Sequence, residues 1–365
     1  MSKKVVVLGA GKVGRLVISL LGNTGDYAVT AVDVDQAAAD AAILRADGST
    51  LPGAAARAAD FSDRGSLTDV LSGQDYVLSC APFHCNVLIA EVAREHGVNY
   101  LDLTEDVATT KRVKELSQGA EAAFIPQCGL APGFITIAAN HLAFAFDTLD
   151  TVKMRVGALP MFPHNRLKYN LTWSTAGLIN EYANPCESVV DGRLTTVPPL
   201  EGLERLSFDG QEFEAFNTSG GLGTLAETWN GRVRNLDYKS IRYPGHRNLI
   251  ALLMEDLRFK DDQEDLARIF ERSLPHTSQD VVLIFVTASG TTADGRLSQR
   301  SYATKIYNKD IDGTHWGAIQ ITTAAGLCGV LDLHVQGVLP ATGFVRQEDV
   351  PFDAFIENRF GKHYA

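Results

Sequence analysis

Apolar runs and helical spacing alternate through the first third of the chain. Val5-Val6-Val7-Leu8 and Val29-Thr30-Ala31-Val32 are short, nearly continuous apolar runs, the pattern of strands covered on both faces. Runs of this kind predict strands at about 4–8, 28–33, 55–58, 75–81, 99–103 and 123–127. Between them, apolar residues at helical spacing predict helices near 12–22, 36–46, 63–72, 86–96 and 109–119. The third strand has the faintest pattern, because it falls in the alanine-rich stretch 37–59. After Pro132 the strands lengthen and alternate, as in Thr151-Val152-Lys153-Met154-Arg155-Val156, and turn signals multiply at Asn184-Pro185, Asp191-Gly192, Asp209-Gly210, Asn230-Gly231 and Asp294-Gly295. Asp280–Ser289 and Arg300–Asn308 read as an antiparallel pair across the turn 290–295, and Trp316–His334 reads as an apolar helix that returns the C-terminus to the first domain.

The expected fold is α/β: a doubly wound parallel (Rossmann) sheet plus a second, α+β domain with an antiparallel sheet. Residues 1–130 and about 315–365 form the first, and 131–314 the second. Gly9-Ala10-Gly11-Lys12-Val13-Gly14 joins the first strand to the first helix, and Asp33 closes the second strand, the spacing of a dinucleotide fingerprint in its context. Gly9 permits the turn, Gly11 lets a pyrophosphate approach the backbone, and Gly14 lets helix and strand pack closely. The Asp33 carboxylate suits two ribose hydroxyls and repels a 2′-phosphate, so NAD is expected as cofactor over NADP. Cys80, Ala81 and Pro82, at the end of the fourth strand, complete the expected cofactor contacts together with Gly9, Gly11, Lys12, Val13, Gly14 and Asp33.

With 45% hydrophobic and 21% charged residues among 365, the composition is that of a globular protein. A net charge of −11 argues against a nucleic-acid partner. No apolar run of about 18 residues is evident, so no membrane span is expected. The chain passes from Met-Ser-Lys-Lys straight into a strand, which fits no signal peptide. Five scattered cysteines without a CxxC pattern are expected as reduced thiols in a cytoplasm, with no metal site.

Ligands of open parallel sheets sit beyond the carboxyl ends of the strands. Those ends carry His84, Asp102 and Cys128. Asp102 and His84, together with His246 farther along, are the candidate catalytic acid–base groups, and Cys128 is expected as a buried thiol. Two later stretches, 155–182 and 238–246, combine Arg, Lys, Trp, Tyr and His with Gly and Pro. Such groups suit a small zwitterionic substrate, since guanidinium grips carboxylate and aromatic rings face ammonium. Lys168, Tyr169, Trp173, Ser174 and Arg242 are the candidate substrate contacts. Self-association through the edges of the second sheet, as a homodimer, is also expected, with Gly220-Gly221-Leu222-Gly223 as a subunit contact.

These motifs together resemble the saccharopine dehydrogenase and L-lysine 6-dehydrogenase family over nearly the whole chain. The residues that carry the likeness are the glycine turn, Gly129-Leu130-Ala131-Pro132-Gly133, Leu167-Lys168-Tyr169 with Trp173-Ser174, Gly220-Gly221-Leu222 with Thr224-Leu225, and Arg242-Tyr243-Pro244-Gly245-His246. The resemblance implies NAD(P)-linked oxidation of a carbon–nitrogen bond in a lysine-derived amino acid. Saccharopine is the first expected substrate, with Arg155, Arg166, Lys168 and Arg242 available for its carboxylates, and lysine the second. A carboxynorspermidine-type reductase and a non-catalytic dinucleotide sensor are lesser alternatives.

Overall fold

The structure, a computed structural model, describes residues 2–365 and divides into two compact units. The first comprises the chain up to residue 134 together with residues 310–316 and 320–365, and the second residues 135–309 and 317–319.

In the first unit, strands β1 (Lys3–Leu8), β2 (Tyr27–Asp33), β3 (Ala55–Ala58), β4 (Tyr76–Ser79), β5 (Asn99–Asp102) and β6 (Ala123–Ile125) form one parallel sheet. Its order is β6-β5-β4-β1-β2-β3, with the short strand Gly343–Phe344 added in parallel beside β6. The strand order reverses between β1 and β4, the switch point at which such sheets take ligands. Helices α1 (Lys12–Gly22), α2 (Gln36–Ala42), α3 (Arg64–Leu71), α4 (Asn86–Glu95) and α5 (Val107–Leu116) make the crossovers. The spacing predicts these elements within a few residues. The exception is α2, expected to reach residue 46, because the chain turns at Arg45–Gly48 and bridges Leu44 to Thr50. Asp35, Asp63 and Asp106 cap α2, α3 and α5 through their side chains.

The expectation of no long apolar stretch needs correction. Helix Ala318–Val335 is 18 residues long with mean hydropathy 1.4, enough by length and composition to cross a bilayer, but 72% of it is buried inside the protein. A helix apolar all round is at home in a core. Its buried carboxylate Asp332 accepts from Tyr27 Oη (2.5 Å), Gln336 Nε2 (2.9 Å), Asn358 Nδ2 (2.7 Å) and Arg359 Nη2 (2.6 Å), tying the start of β2 to the C-terminal segment.

The second unit is built on β7 (Thr148–Pro160), β8 (Cys186–Val190), β9 (Arg193–Val197), β10 (Glu204–Phe208), β11 (Gln211–Asn217), β12 (Val233–Arg242), β13 (Asp280–Thr291) and β14 (Leu297–Tyr307). They form an eight-stranded sheet of order β10-β11-β12-β7-β13-β14, with β8 and β9 joined through β12. The sheet is mixed rather than purely antiparallel, because β7 and β12 pair in parallel. The connection between them, with two helices (Thr175–Ala183 and Leu225–Trp229) and four strands, is long enough for a parallel crossover. The predicted turns Asp191-Gly192 and Asp209-Gly210 have positive φ at both residues (46° and 78°, 50° and 77°), closing the hairpins β8–β9 and β10–β11. Asp280, fully buried at the start of β13, accepts the backbone N–H groups of Ala318 (2.6 Å) and Ile319 (3.0 Å) at the head of helix Ala318–Val335.

Candidate active site

The glycine turn has the geometry its sequence predicts. Gly9 has φ +96°, and a Cβ there would sit 2.8 Å from the Cys80 carbonyl oxygen. A Cβ on Gly14 would sit 1.8 Å from the Gly9 carbonyl oxygen, so both positions exclude a side chain for the fold's own sake. Gly11 differs. Its φ is −72°, and a Cβ there would meet nothing within 4 Å. Nothing in the chain demands glycine at this place, yet any side chain would project into the space over the head of α1. Gly11 is also the N-cap of α1 and supplies no side-chain cap, which leaves first-turn N–H groups suited to an anion. Asp33, at the end of β2, accepts from Ala10 N (2.7 Å) and Asp35 N (3.1 Å), which fixes its carboxylate beside the turn. Cys80 N donates to Leu8 O (2.8 Å), so Cys80-Ala81-Pro82 continues β4 alongside Gly9–Gly14. Burial pushes the Cys80 thiol up to about 12, which keeps it protonated and inert. Lys12 and Val13 open α1 within this turn.

At the next strand end the candidates separate. Asp102 has no accessible surface. Its Oδ1 accepts from Thr104 N (3.0 Å) and Gln127 N (2.8 Å), and its Oδ2 from Tyr100 Oη (2.7 Å). Burial raises its pKa, opposed by these bonds. The carboxylate thus clamps the ends of β5 and β6 together instead of standing open to a ligand, contrary to the expectation of a base. Gln127 holds φ +66° at that junction. Cys128 is buried as expected, its Sγ 3.0 Å from Ile125 O, and burial raises its pKa. His84 is exposed in the short turn Phe83–Cys85. In the same strand-end stretch, where the sequence favours Asp102, lies Glu105. It keeps some solvent access, and burial pushes its carboxyl up to about 7.

The second unit gathers the two later aromatic and basic stretches into one buried cluster. Arg242 Nε donates to Tyr182 Oη (3.0 Å), and Tyr182 Oη lies 3.1 Å from His246 Nε2. His246 Nδ1 lies 2.8 Å from Leu167 O. A carbonyl only accepts, so Nδ1 carries the proton in the neutral ring, and Nε2 takes the Tyr182 hydroxyl proton. The Arg242 guanidinium stands 5.3 Å from the Tyr169 ring centroid and 3.8 Å from the Glu181 carboxylate. Trp173 Nε1 donates to Tyr169 Oη (3.0 Å). Glu214, buried on β11, accepts from Gly245 N (2.9 Å) and Arg247 N (2.8 Å), which fixes the turn that delivers His246; sequence reasoning had no signal for it.

Four expectations change here. His246 is no acid–base group near neutrality, because burial and the adjacent Arg242 depress its pKa to about 3 and both ring nitrogens are engaged. Ser174 is the N-cap of helix Thr175–Ala183, its hydroxyl accepting from Gly177 N (3.1 Å). Lys168 is exposed with φ +52°, its Nζ donating to Pro244 O (3.1 Å). Arg155 is also withdrawn from any substrate role, since it is buried between Glu204 and Asp237 on its own sheet. Within the Gly220–Gly223 segment, Gly221 and Leu222 are buried, and a Cβ on Gly221 would meet the Tyr238 ring at 2.3 Å, so this part packs inside its own unit.

The depressed His246 makes acid stability testable. The folded ring stays neutral below the ordinary value of about 6.5, whereas the unfolded ring takes a proton, so stability falls as pH drops from about 6.5 toward 3. Its share is about 1.4 kcal/mol per pH unit in that window. His334, held between Tyr76 Oη (2.8 Å) and Pro340 O (3.1 Å), is shifted in the same direction. Urea unfolding from pH 6.5 to 4 is expected to give a shallower pH slope for His246→Asn than for the unaltered chain. Equal slopes would refute the assignment.

A cavity of about 870 Å³ lies at the opposite, amino ends of β1 and β2, lined by Lys3, Asp26, Tyr27, Asp332, Asn358 and Arg359. Asp26, Tyr27, Asp332, Asn358 and Arg359 are bonded within that same network, away from the glycine turn.

A parallel sheet of order 3-2-1 then 4-5-6, with a ligand-ready glycine turn at its switch point, places the chain among α/β proteins of the dinucleotide-binding class. A family model described as the saccharopine dehydrogenase NADP binding domain matches residues 5–125, and one described as the saccharopine dehydrogenase C-terminal domain matches residues 129–360. The chain belongs to the saccharopine dehydrogenase family. Among curated relatives, saccharopine dehydrogenase [NADP(+), L-glutamate-forming] of Saccharomyces cerevisiae is 28% identical over 214 residues, 54% of this chain and 44% of that protein. The Pyricularia oryzae protein of the same name is 24% identical over 290 residues, 72% of this chain and 59% of that one. Mitochondrial alpha-aminoadipic semialdehyde synthase of Mus musculus is 24% identical over 166 residues, 40% of this chain and 17% of that protein. The matches thus span between about a sixth and three fifths of these relatives. The solved apo saccharopine dehydrogenase (L-Glu forming) of Saccharomyces cerevisiae superposes with TM-score 0.77 at 17% identity, covering 98% of this chain and 96% of that one, a likeness of fold.

Proposed function

We propose that the chain is a pyridine-nucleotide-dependent dehydrogenase that oxidises a carbon–nitrogen bond of a lysine-derived amino acid, with saccharopine as substrate and glutamate plus 2-aminoadipate 6-semialdehyde as products. The observation that carries the cofactor is Gly11, a glycine in an ordinary conformation with open space where its side chain would be. The first-turn amides of α1 would hold the pyrophosphate, and Asp33 the adenosine ribose. When bound, the nicotinamide accepts the hydride. NAD is the proposed form, because a 2′-phosphate would meet the fixed Asp33 carboxylate, followed by Val34, Asp35 and Gln36. The matching family model is one of an NADP binding domain, which supports the other form, so Kd values for both decide the point.

For the substrate, Arg242 is the proposed carboxylate partner, with Tyr169 and Trp173 beside it. A guanidinium held by Tyr182 keeps a fixed orientation and retains N–H donors for a second acceptor. Lysine oxidation is the second reading, favoured by Arg155: with that cation committed to Glu204 and Asp237, fewer remain for a tricarboxylate. Absorbance of the reduced dinucleotide, followed with saccharopine and with lysine, separates the two. Arg242→Ala is expected to raise KM for the substrate by about tenfold or more with a smaller change in kcat. No turnover of either compound in the presence of NAD or NADP would defeat both readings.

A further inference from the structure

Among the described residues, the carboxyl edge of the first sheet holds a carboxylate, Glu105, that takes no part in the hydrogen-bond networks above. The loop after β5 runs Asp102-Leu103-Thr104-Glu105-Asp106 and is stapled at both ends. Asp102 receives the amides of Thr104 and Gln127 and the Tyr100 hydroxyl. Asp106 accepts from Thr109 N (2.7 Å) as the cap of α5, and its own N–H donates to Thr104 Oγ1 (3.1 Å). Glu105 lies between these fixed points, so its backbone is pre-set by neighbours whose polar groups are already used.

Its place in the sheet is specific. Strand order runs β5-β4-β1-β2, so β5 stands two strand spacings, about 10 Å, from the strand that carries the glycine turn. Asp33 marks the β2 side as the adenosine side. The opposite half of a dinucleotide laid over the switch point therefore extends over β4 and β5, and Glu105 is on that side.

Its environment fits proton transfer. The charged groups that bear on it most are Asp106 and Asp102, both of which hold its pKa up, and its own backbone N–H acts the other way; burial is the largest cause, and the carboxyl comes to about 7. A base with that value is half-charged at physiological pH and exchanges its proton with solvent through its exposed part.

We propose that Glu105 accepts the proton that the substrate's ammonium must lose before oxidation. This inference rests on the dehydrogenase reading above. The N–H bond breaks, its electron pair stays on nitrogen, and an O–H bond forms on Glu105. The adjacent C–H bond would then break, its electron pair taken up by the oxidised pyridine nucleotide when that is bound, and water added to the resulting C=N⁺ group would give a carbonyl and an ammonium group. Glu105 returns its proton to solvent.

The test uses Glu105→Gln and Glu105→Asp in the full chain, with dinucleotide titration to confirm that each folds and binds. Glu105→Gln is expected to lower kcat by about 100-fold and to abolish the acid limb near pH 7 in the kcat profile, while Glu105→Asp keeps a displaced limb and part of the rate. Independently of turnover, ¹³C NMR of glutamate side-chain carboxyls in the protein without added cofactor should show one resonance titrating near 7, missing in Glu105→Gln. A Glu105→Gln enzyme that keeps its rate within about threefold and its acid limb overturns the proposal, as does a spectrum in which the Glu105 carboxyl titrates near the ordinary 4.3. Dinucleotide binding without turnover in the unaltered chain would instead refute the dehydrogenase reading, and this proposal with it.

Discussion

Gly11→Asp is expected to leave the fold at least as stable as before and to weaken dinucleotide binding on the order of 1,000-fold, about 4 kcal/mol. The two effects have opposite signs for one reason. Position 11 caps α1 with φ −72° and has nothing within 4 Å of where a Cβ would stand, so aspartate, a preferred capping residue, has room and a ready partner in the first-turn amides. Once it takes those amides, a phosphate loses charge-assisted bonds of about 1.5–3 kcal/mol each and meets a carboxylate instead. Gly14→Ala serves as the contrast, since its Cβ would sit 1.8 Å from the Gly9 carbonyl oxygen and should damage folding itself. Calorimetric titration with NAD and NADP alongside urea unfolding reads both effects. A Gly11→Asp protein that binds within tenfold of the unaltered chain would remove the main support for a dinucleotide site.

Asp332→Ala is expected to destabilise the first unit by about 3–5 kcal/mol, the cost of breaking a buried charged network from one side. The carboxylate serves four donors, and two of them, the Tyr27 hydroxyl and the Asn358 amide, belong to buried side chains that would be left unsatisfied. Arg359 is partly exposed and should re-solvate, so its share is small. The midpoint of urea unfolding monitored by far-UV circular dichroism measures the loss, and a change below about 1 kcal/mol would show that the network is not a structural anchor.

The parallel sheet was legible because both-face burial writes long apolar runs into β1, β2 and β4, and because Gly9, Gly14 and Asp33 sit at fixed offsets. Even β3, faint among alanines, forms at the expected residues 55–58, and it pairs with β2, Thr30 beside Ala55 and Asp33 beside Ala58. The parallel pairing of β7 with β12 was not legible, since strand pattern carries no direction and their connection spans many elements. Asp102 and Glu105 show the limit for sites. Both are carboxylates in one five-residue loop, and sequence favoured the first for its place at the strand end. Which one is clamped depends on Gln127, 25 residues on, whose amide reaches Asp102 only after β5 and β6 are side by side. Arg155 and Arg242 look alike in sequence for the same reason. Register sets Asp237 beside Lys153 on the neighbouring strand, and two carboxylates, Asp237 and Glu204 from β10, hold Arg155 at hydrogen-bond range, whereas Arg242 meets the Tyr182 hydroxyl, the Ile241 carbonyl and the Tyr169 ring, with a carboxylate, Glu181, standing off at 3.8 Å.

The line of donors from Arg242 through Tyr182 and His246 to Leu167 points one way only. Reversing it would require a guanidinium to surrender a proton and a peptide carbonyl to supply one, neither of which happens in water. A conduit for acidity has to reset after each passage, and this line has no second setting. It behaves as a strut: it holds the Arg242 guanidinium at one angle, so an anion bound there as proposed would be met at that angle, and a proton released by the proposed chemistry would have to leave by a separate exit.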